Sequence, residues 1–123
     1  MKIAIYGRVS TVNQSTDVQI QECREYAGRC GYEIVGEYTD TISGTTSKDD
    51  REALGRLLED SFARKFDSVI VFSIDRLGRS LKHCLEILET LRERQVQFVS
   101  IRQQIDTSSP TGHLQHFRVF GFV

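Results

Sequence analysis

Tryptophan is absent, proline occurs once, and neither sign of charge prevails: 16 Lys and Arg stand against 17 Asp and Glu, for a formal net charge of −1. That balance excludes a domain that holds nucleic acid tightly through bulk electrostatics, so any such contact is local, or weak without help from elsewhere. No apolar run approaches the roughly 20 residues needed to cross a membrane. The start MKIAIYGRVS is not a secretion signal, because its apolar stretch is short and Arg8 interrupts it where a cleavage region would begin. The three cysteines, Cys23, Cys30 and Cys84, are odd in number and lack CxxC spacing, which argues against a disulfide framework or a thiolate metal site. Each falls on the apolar face of an expected helix, so all are expected to be buried free thiols in a reducing cytoplasm. HExxH, paired-carboxylate and Cys/His clusters are missing too. His113 and His116 lie one turn apart but have no acidic partner nearby. No internal repeat, low-complexity tract or interdomain linker interrupts the chain, and 123 residues, 39% of them hydrophobic, fit one domain with a single core.

What is present is an alternation of strand and helix patterns, which predicts an α/β layer with a mostly parallel, four- to five-stranded sheet flanked by helices on both faces. Lys2 to Tyr6 reads as a first strand, followed by a polar loop from Ser10 to Thr16. Asp17 can cap a helix carrying Ile20, Cys23, Ala27 and Cys30 at helical spacing, and Gly31 stops it. Tyr32 to Tyr38 forms a second strand. Asp40 to Asp50 is a loop too polar to be core and long enough to be mobile. A second helix runs from about Arg51 to Lys65, burying Leu54, Leu57, Leu58 and Phe62. Ser68 to Ile74 is nearly continuous in apolar residues, as a central strand covered on both faces should be. Asp75 to Ser80 then turns sharply into a third helix, with Leu81, Leu85, Leu88 and Leu91 on one face and Cys84 filling the stripe. Val96 to Arg102 is a fourth strand. From Ile105 the chain becomes turn-rich and then loses clean periodicity.

Two segments carry chemistry. In the first strand Tyr6, Arg8 and Ser10 alternate, and residues two apart on an extended chain share a face. A hydroxyl nucleophile beside a cation that grips phosphate bidentately is what attack on a phosphodiester requires. In IDRLGRS, Ile74 to Ser80, Arg76 and Arg79 are three apart and share a side over one helical turn. Ligand sites in open α/β sheets collect at the carboxyl ends of the strands. In the usual doubly wound order the first and third strands are neighbours, so Ser10 and Arg8 would share a rim with Arg76 and Arg79. The logic is phosphoryl transfer without a metal or other cofactor: fixed, planar, always-charged guanidinium groups meet the negative charge that in-line attack spreads over the phosphorus.

YGRVSTVNQS, DTISGTTSKDDR and FSIDRLGRS, in this order and spacing, resemble the catalytic domain of the serine site-specific recombinases, the resolvase/invertase family, over about Lys2 to Gly112. The resemblance implies a resolvase-like catalytic domain over residues 1–112. It makes Ser10 the nucleophile, forming a 5′-phosphoserine link with DNA and freeing a 3′ hydroxyl. Arg8, Arg76 and Arg79 match the phosphate-binding arginines. Asp75 matches the carboxylate that orients an arginine or handles a proton. Gln14 and Gln19 match glutamines that support the active-site loop, Arg51, following Asp49 and Asp50, another active-site arginine on the mobile loop, and Tyr6 a residue flanking the nucleophile. The implied partners are DNA and further copies of the chain, as dimer and synaptic tetramer, with neither ATP nor metal, in the cytoplasm and without a membrane. Plainer readings stand beside these: Asp75 as a helix cap with Arg76 as its surface ion-pair partner, Arg51 as a first-turn helix residue, Tyr6 as a packing residue, Gln14 and Gln19 as solvated positions. After Leu114 the residues QHFRVFGFV depart from the family pattern, so 113–123 is expected to be an atypical tail, a shortened start of the long dimerisation helix, with the helix-turn-helix domain absent. Weak DNA binding without sequence preference and little or no recombination by the chain alone are the expected consequences. The main rival is a non-catalytic remnant of the same fold, acting through contacts with full-length recombinase subunits. A small-molecule phosphatase or nucleotide-binding domain would want a glycine-rich phosphate loop or a Cys-x5-Arg motif, and the chain has neither.

Overall fold

A computed structural model describes residues 1–10, 15–42, 52–74, 77 and 80–106. The elements run β1 (Lys2–Ser10), α1 (Ser15–Cys30), β2 (Glu33–Ile42), α2 (Glu52–Phe62), β3 (Ser68–Val71), α3 (Leu81–Glu93), β4 (Gln97–Ser100) and β5 (Ile105–Asp106). The sheet order is β2-β1-β3-β4-β5, parallel throughout except that β5 runs antiparallel to β4. This is the mostly parallel sheet with helices on both faces that the sequence predicts, with β3 interior between β1 and β4.

Alternation along β1 divides the core in two. Ile3 and Ile5 point to one face, where Ile20, Cys23 and Ala27 of α1 cover them together with Ile70 and Val99. Ala4 and Tyr6 point to the other, under Leu54 and Leu57 of α2 and Cys84, Leu88 and Leu91 of α3. Gly7 lets α1 approach closely: a Cβ there would come well inside 3.0 Å of Ile20 Cδ1. α1 ends as its sequence dictates. Gly31 adopts φ 72°, its N–H bonds the Gly28 carbonyl, and the Tyr32 N–H reaches back to Ala27, a Schellman closure.

Several expectations need correction. β2 continues four residues past Tyr38, so Asp40 is a buried strand residue and not part of a polar loop. Cys23 and Cys84 are buried, but Cys30 is exposed, because the last turn of α1 runs past the sheet. Phe62 is 75% exposed. Its ring lies under the guanidinium of Arg94, 5.3 Å from the centroid, while that same guanidinium donates to the Leu58 carbonyl and to Ser61 Oγ. A cation at the end of α3 thus closes the end of α2 and draws Phe62 outward. The buried row of α3 is Cys84, Ile87, Leu88 and Leu91, with Leu81 exposed, so the stripe is rotated from the all-leucine one. β3 ends at Val71 and β4 at Ser100, shorter than their apolar runs, and β5 has no counterpart in the sequence reading. The expected domain boundary at residue 112 and the tail 113–123 lie outside the described residues.

Candidate active site at the carboxyl edge of the sheet

β1 and β3 are hydrogen-bonded neighbours in parallel, with Tyr6 opposite Val71 as their last pair. β1 then runs on beside β2 alone, Arg8 opposite Asp40 and Ser10 opposite Ile42. Four residues of extended chain carry Ser10 roughly 13 Å beyond the last β1–β3 rung. Its strand backbone is unbroken from Lys2, the condition for the Tyr6, Arg8, Ser10 alternation. The side chain of Ser10 lies outside what the structure describes, as do Gln14, Arg51, Asp75, Arg76 and Arg79. Arg8 is half-buried on β1, and Gln19 is half-buried on α1, one residue from the Ile20 contact with Gly7.

Tyr6 has no exposed surface. Its hydroxyl donates to Asp40 Oδ2 at 2.7 Å, and Asp40 also accepts the backbone N–H groups of Ala53 at 2.7 Å and Leu54 at 3.1 Å. Asp40 is therefore the N-terminal cap of α2, supplied from a strand 13 positions away. A carboxylate at the positive end of a helix, holding three donors, is favourable even when buried. This unit anchors the start of α2 and ties it to β1 through the Tyr6 hydroxyl. Sequence reasoning missed Asp40 because a lone aspartate at the end of a strand pattern looks like the start of a loop.

The segment after β3 is held at both flanks. Leu77 is fully buried and its N–H bonds the Ile74 carbonyl, which also accepts the Cys84 thiol. Ser80 caps α3, its Oγ accepting the His83 N–H at 3.1 Å. The capping role that would have explained Asp75 is thus filled, for α3, by Ser80.

A parallel α/β sheet with this carboxyl edge defines a class before it defines a family. The family then follows from comparison: the model of the resolvase N-terminal domain matches residues 3–123, and the chain belongs to that family. It is 42% identical over 116 residues to the serine recombinase gin of Escherichia phage Mu, covering 94% of this chain and 54% of that protein. It is 34% identical over 114 residues to the transposon Tn917 resolvase of Enterococcus faecalis, covering 93% and 56%. Among solved structures, the N-terminal catalytic domain of TP901-1 integrase superposes with a TM-score of 0.82 at 34% identity, covering 98% of this chain and 92% of that one. The chain spans about half the length of the curated relatives it matches. Among the described residues no helix is long and apolar enough to cross a membrane.

Proposed function

We propose that this chain is the catalytic domain of a DNA site-specific recombinase that works through a serine nucleophile. The Oγ of Ser10 attacks a backbone phosphorus, the P–O3′ bond breaks, and the 3′ oxygen leaves with a proton, giving a 5′-phosphoserine link. The reverse attack by a 3′ hydroxyl rejoins the strand. Because one phosphodiester is exchanged for another, the cycle needs no ATP. Arg8, Arg76 and Arg79 bind the phosphate, and Asp75 orients an arginine or handles the proton. Gln14, Gln19 and Arg51 support the site, with Tyr6 acting through Asp40. The partners are DNA and further copies of the chain, and the work is cytoplasmic. With a net charge of −1 the domain alone binds DNA weakly and without sequence preference.

The observation that supports this reading is the parallel adjacency of β1 and β3, whose carboxyl ends lie at the same edge of the sheet, β1 ending at Ser10. The test is a nicked suicide duplex that traps a covalent adduct at low salt. The unsubstituted chain should yield the adduct and Ser10→Ala none. Arg8→Ala or Arg76→Ala should lower its formation by roughly a hundred- to a thousand-fold. Failure of the unsubstituted chain to form an adduct under any salt condition would favour a non-catalytic remnant of the same fold.

A further inference from the structure

Beyond Ser100 the β3–β4 ladder does not stop at the strand ends. The Ile101 N–H bonds the Val71 carbonyl at 3.1 Å and the Arg102 N–H bonds the Phe72 carbonyl at 2.8 Å. The next residue, Gln103, continues the series with its side chain. Its Oε1 accepts the Ile74 N–H at 3.3 Å and the Ser100 hydroxyl, and its Nε2 donates to Ser73 Oγ at 3.2 Å. Ser73 and Ser100 are 2% and 0% exposed, and a buried hydroxyl is costly without a partner. The amide suits this place because it donates and accepts at once. The residues it holds, Ser73 and Ile74, directly precede Asp75 and Arg76 in the chain.

We infer that Gln103 is a positioning residue for the Asp75–Arg76 segment, tying it through Ser73 and Ile74 to the turn after β4. The inference rests on the catalytic reading above. Its action is through other residues: among the described residues before Asp75 it holds the Ile74 N–H and the Ser73 hydroxyl. A misplacement of about 1 Å at such a site can cost on the order of a hundred-fold in rate. The clamp has a direct mark of its own, the solvent exchange of the Ile74 amide.

The experiment compares the unsubstituted chain with Gln103→Leu and Gln103→Glu, reading both amide exchange of the free protein and single-turnover adduct formation on the suicide duplex. Gln103→Leu should speed Ile74 exchange about tenfold, as loss of a local hydrogen bond does. It should slow adduct formation at saturating protein by roughly ten- to a hundred-fold. Half-saturation by DNA should stay near that of the unsubstituted chain, while the melting temperature falls by several degrees because the buried hydroxyls of Ser73 and Ser100 lose a partner. Gln103→Glu keeps an acceptor for Ile74, and the Ser73 hydroxyl can turn to donate, so it should restore Ile74 protection. Unchanged Ile74 exchange in Gln103→Leu would overturn the clamp. Changed exchange with an unchanged rate, or a rate loss matched by a fall in DNA affinity, would overturn the positioning role. If the unsubstituted chain forms no adduct, the recombinase reading and the catalytic consequence of Gln103 fall together. Exchange still decides the clamp itself.

Discussion

The two faces of the sheet are built differently. Under α1 the side chains from β1 are Ile3 and Ile5, and the buried ones clustered with them are aliphatic or a thiol, with Tyr26, Tyr32 and Phe72 partly buried against them. Under α2 and α3 the row from β1 begins with Ala4, passes to Tyr6 and reaches Arg8, with Asp40 opposite. The first face holds its buried polar atoms, Ser68 Oγ and Gln97 Oε1, at the amino end of the strands, while the other turns polar toward the carboxyl edge. Around Gly7 the first face is apolar and tolerates a near approach of helix to strand. On the other face the buried Tyr6 and Asp40 pair with each other, and that pairing fixes where a helix begins.

The sharpest way to break that contrast is Asp40→Ala. It removes the acceptor for the Tyr6 hydroxyl and for two helix N–H groups in a buried setting. A lost cap combined with a stranded phenol should cost about 2–4 kcal/mol, read by urea unfolding. A loss under about 0.5 kcal/mol, the range of an ordinary surface change, would show that water replaces the carboxylate freely. On the apolar face the matching perturbation is Gly7→Ala, which forces Ile20 to move and should cost about 1–3 kcal/mol by overpacking. Because the clash is with Cδ1, Ile20→Val should relieve most of it. A double variant no more stable than Gly7→Ala would place the strain in the backbone instead.

The contrast also explains what could be read from the sequence. The strand and helix order, the interior position of β3 and the Gly31 stop are local or periodic features, and the structure has them all. Residues whose place depends on a distant partner were not legible. Asp40 looked like loop because its donors lie on another helix. Gln103 drew no assignment from the sequence because its partners Ser73 and Ile74 are about 30 positions earlier. Phe62 has the spacing of a core residue, and only Arg94 takes it outward. The strand that carries Tyr6, Arg8 and Ser10 was legible because its alternation is local, while Arg76 and Arg79 lie outside the described residues.

A smaller effect belongs to the rim of the polar face. The Tyr38 hydroxyl donates to Asp60, beside Lys65, and that bond holds the Asp60 carboxyl below its ordinary value of 3.8. Burial first, and then the Asp60 carboxylate, pushes the Tyr38 phenol up to about 12. A carboxyl lowered by folding contributes stability that is present above its unfolded value and lost as pH falls through the folded one. A phenol raised by folding contributes stability that is complete below about 10 and lost as pH climbs toward 12. Tyr38→Phe should therefore flatten the stability profile at both ends and cost about 1 kcal/mol at neutral pH, held low by the partial exposure of the pair. An unchanged acid limb in the variant would mean that Asp60 is governed by Lys65 and Arg56 instead.

The smallest expected effect touches no stability and still separates the faces. Cys23 sits under α1, where burial first and then Glu22 and Glu37 push its thiol up to about 12. Only the thiolate reacts at a useful rate, so in the native state Cys23 should resist a thiol reagent at pH 8 while the exposed Cys30 is modified promptly. Cys84 is also buried, its thiol given to the Ile74 carbonyl, and should resist as well. In rising urea, Cys23 reports the opening of the apolar face and Cys84 that of the polar one. If the faces differ only in chemistry, both cysteines become reactive together at the global transition. If the apolar face, held by α1 alone, opens first, Cys23 is modified at lower urea than Cys84, and the sheet's two sides are then separate cooperative units.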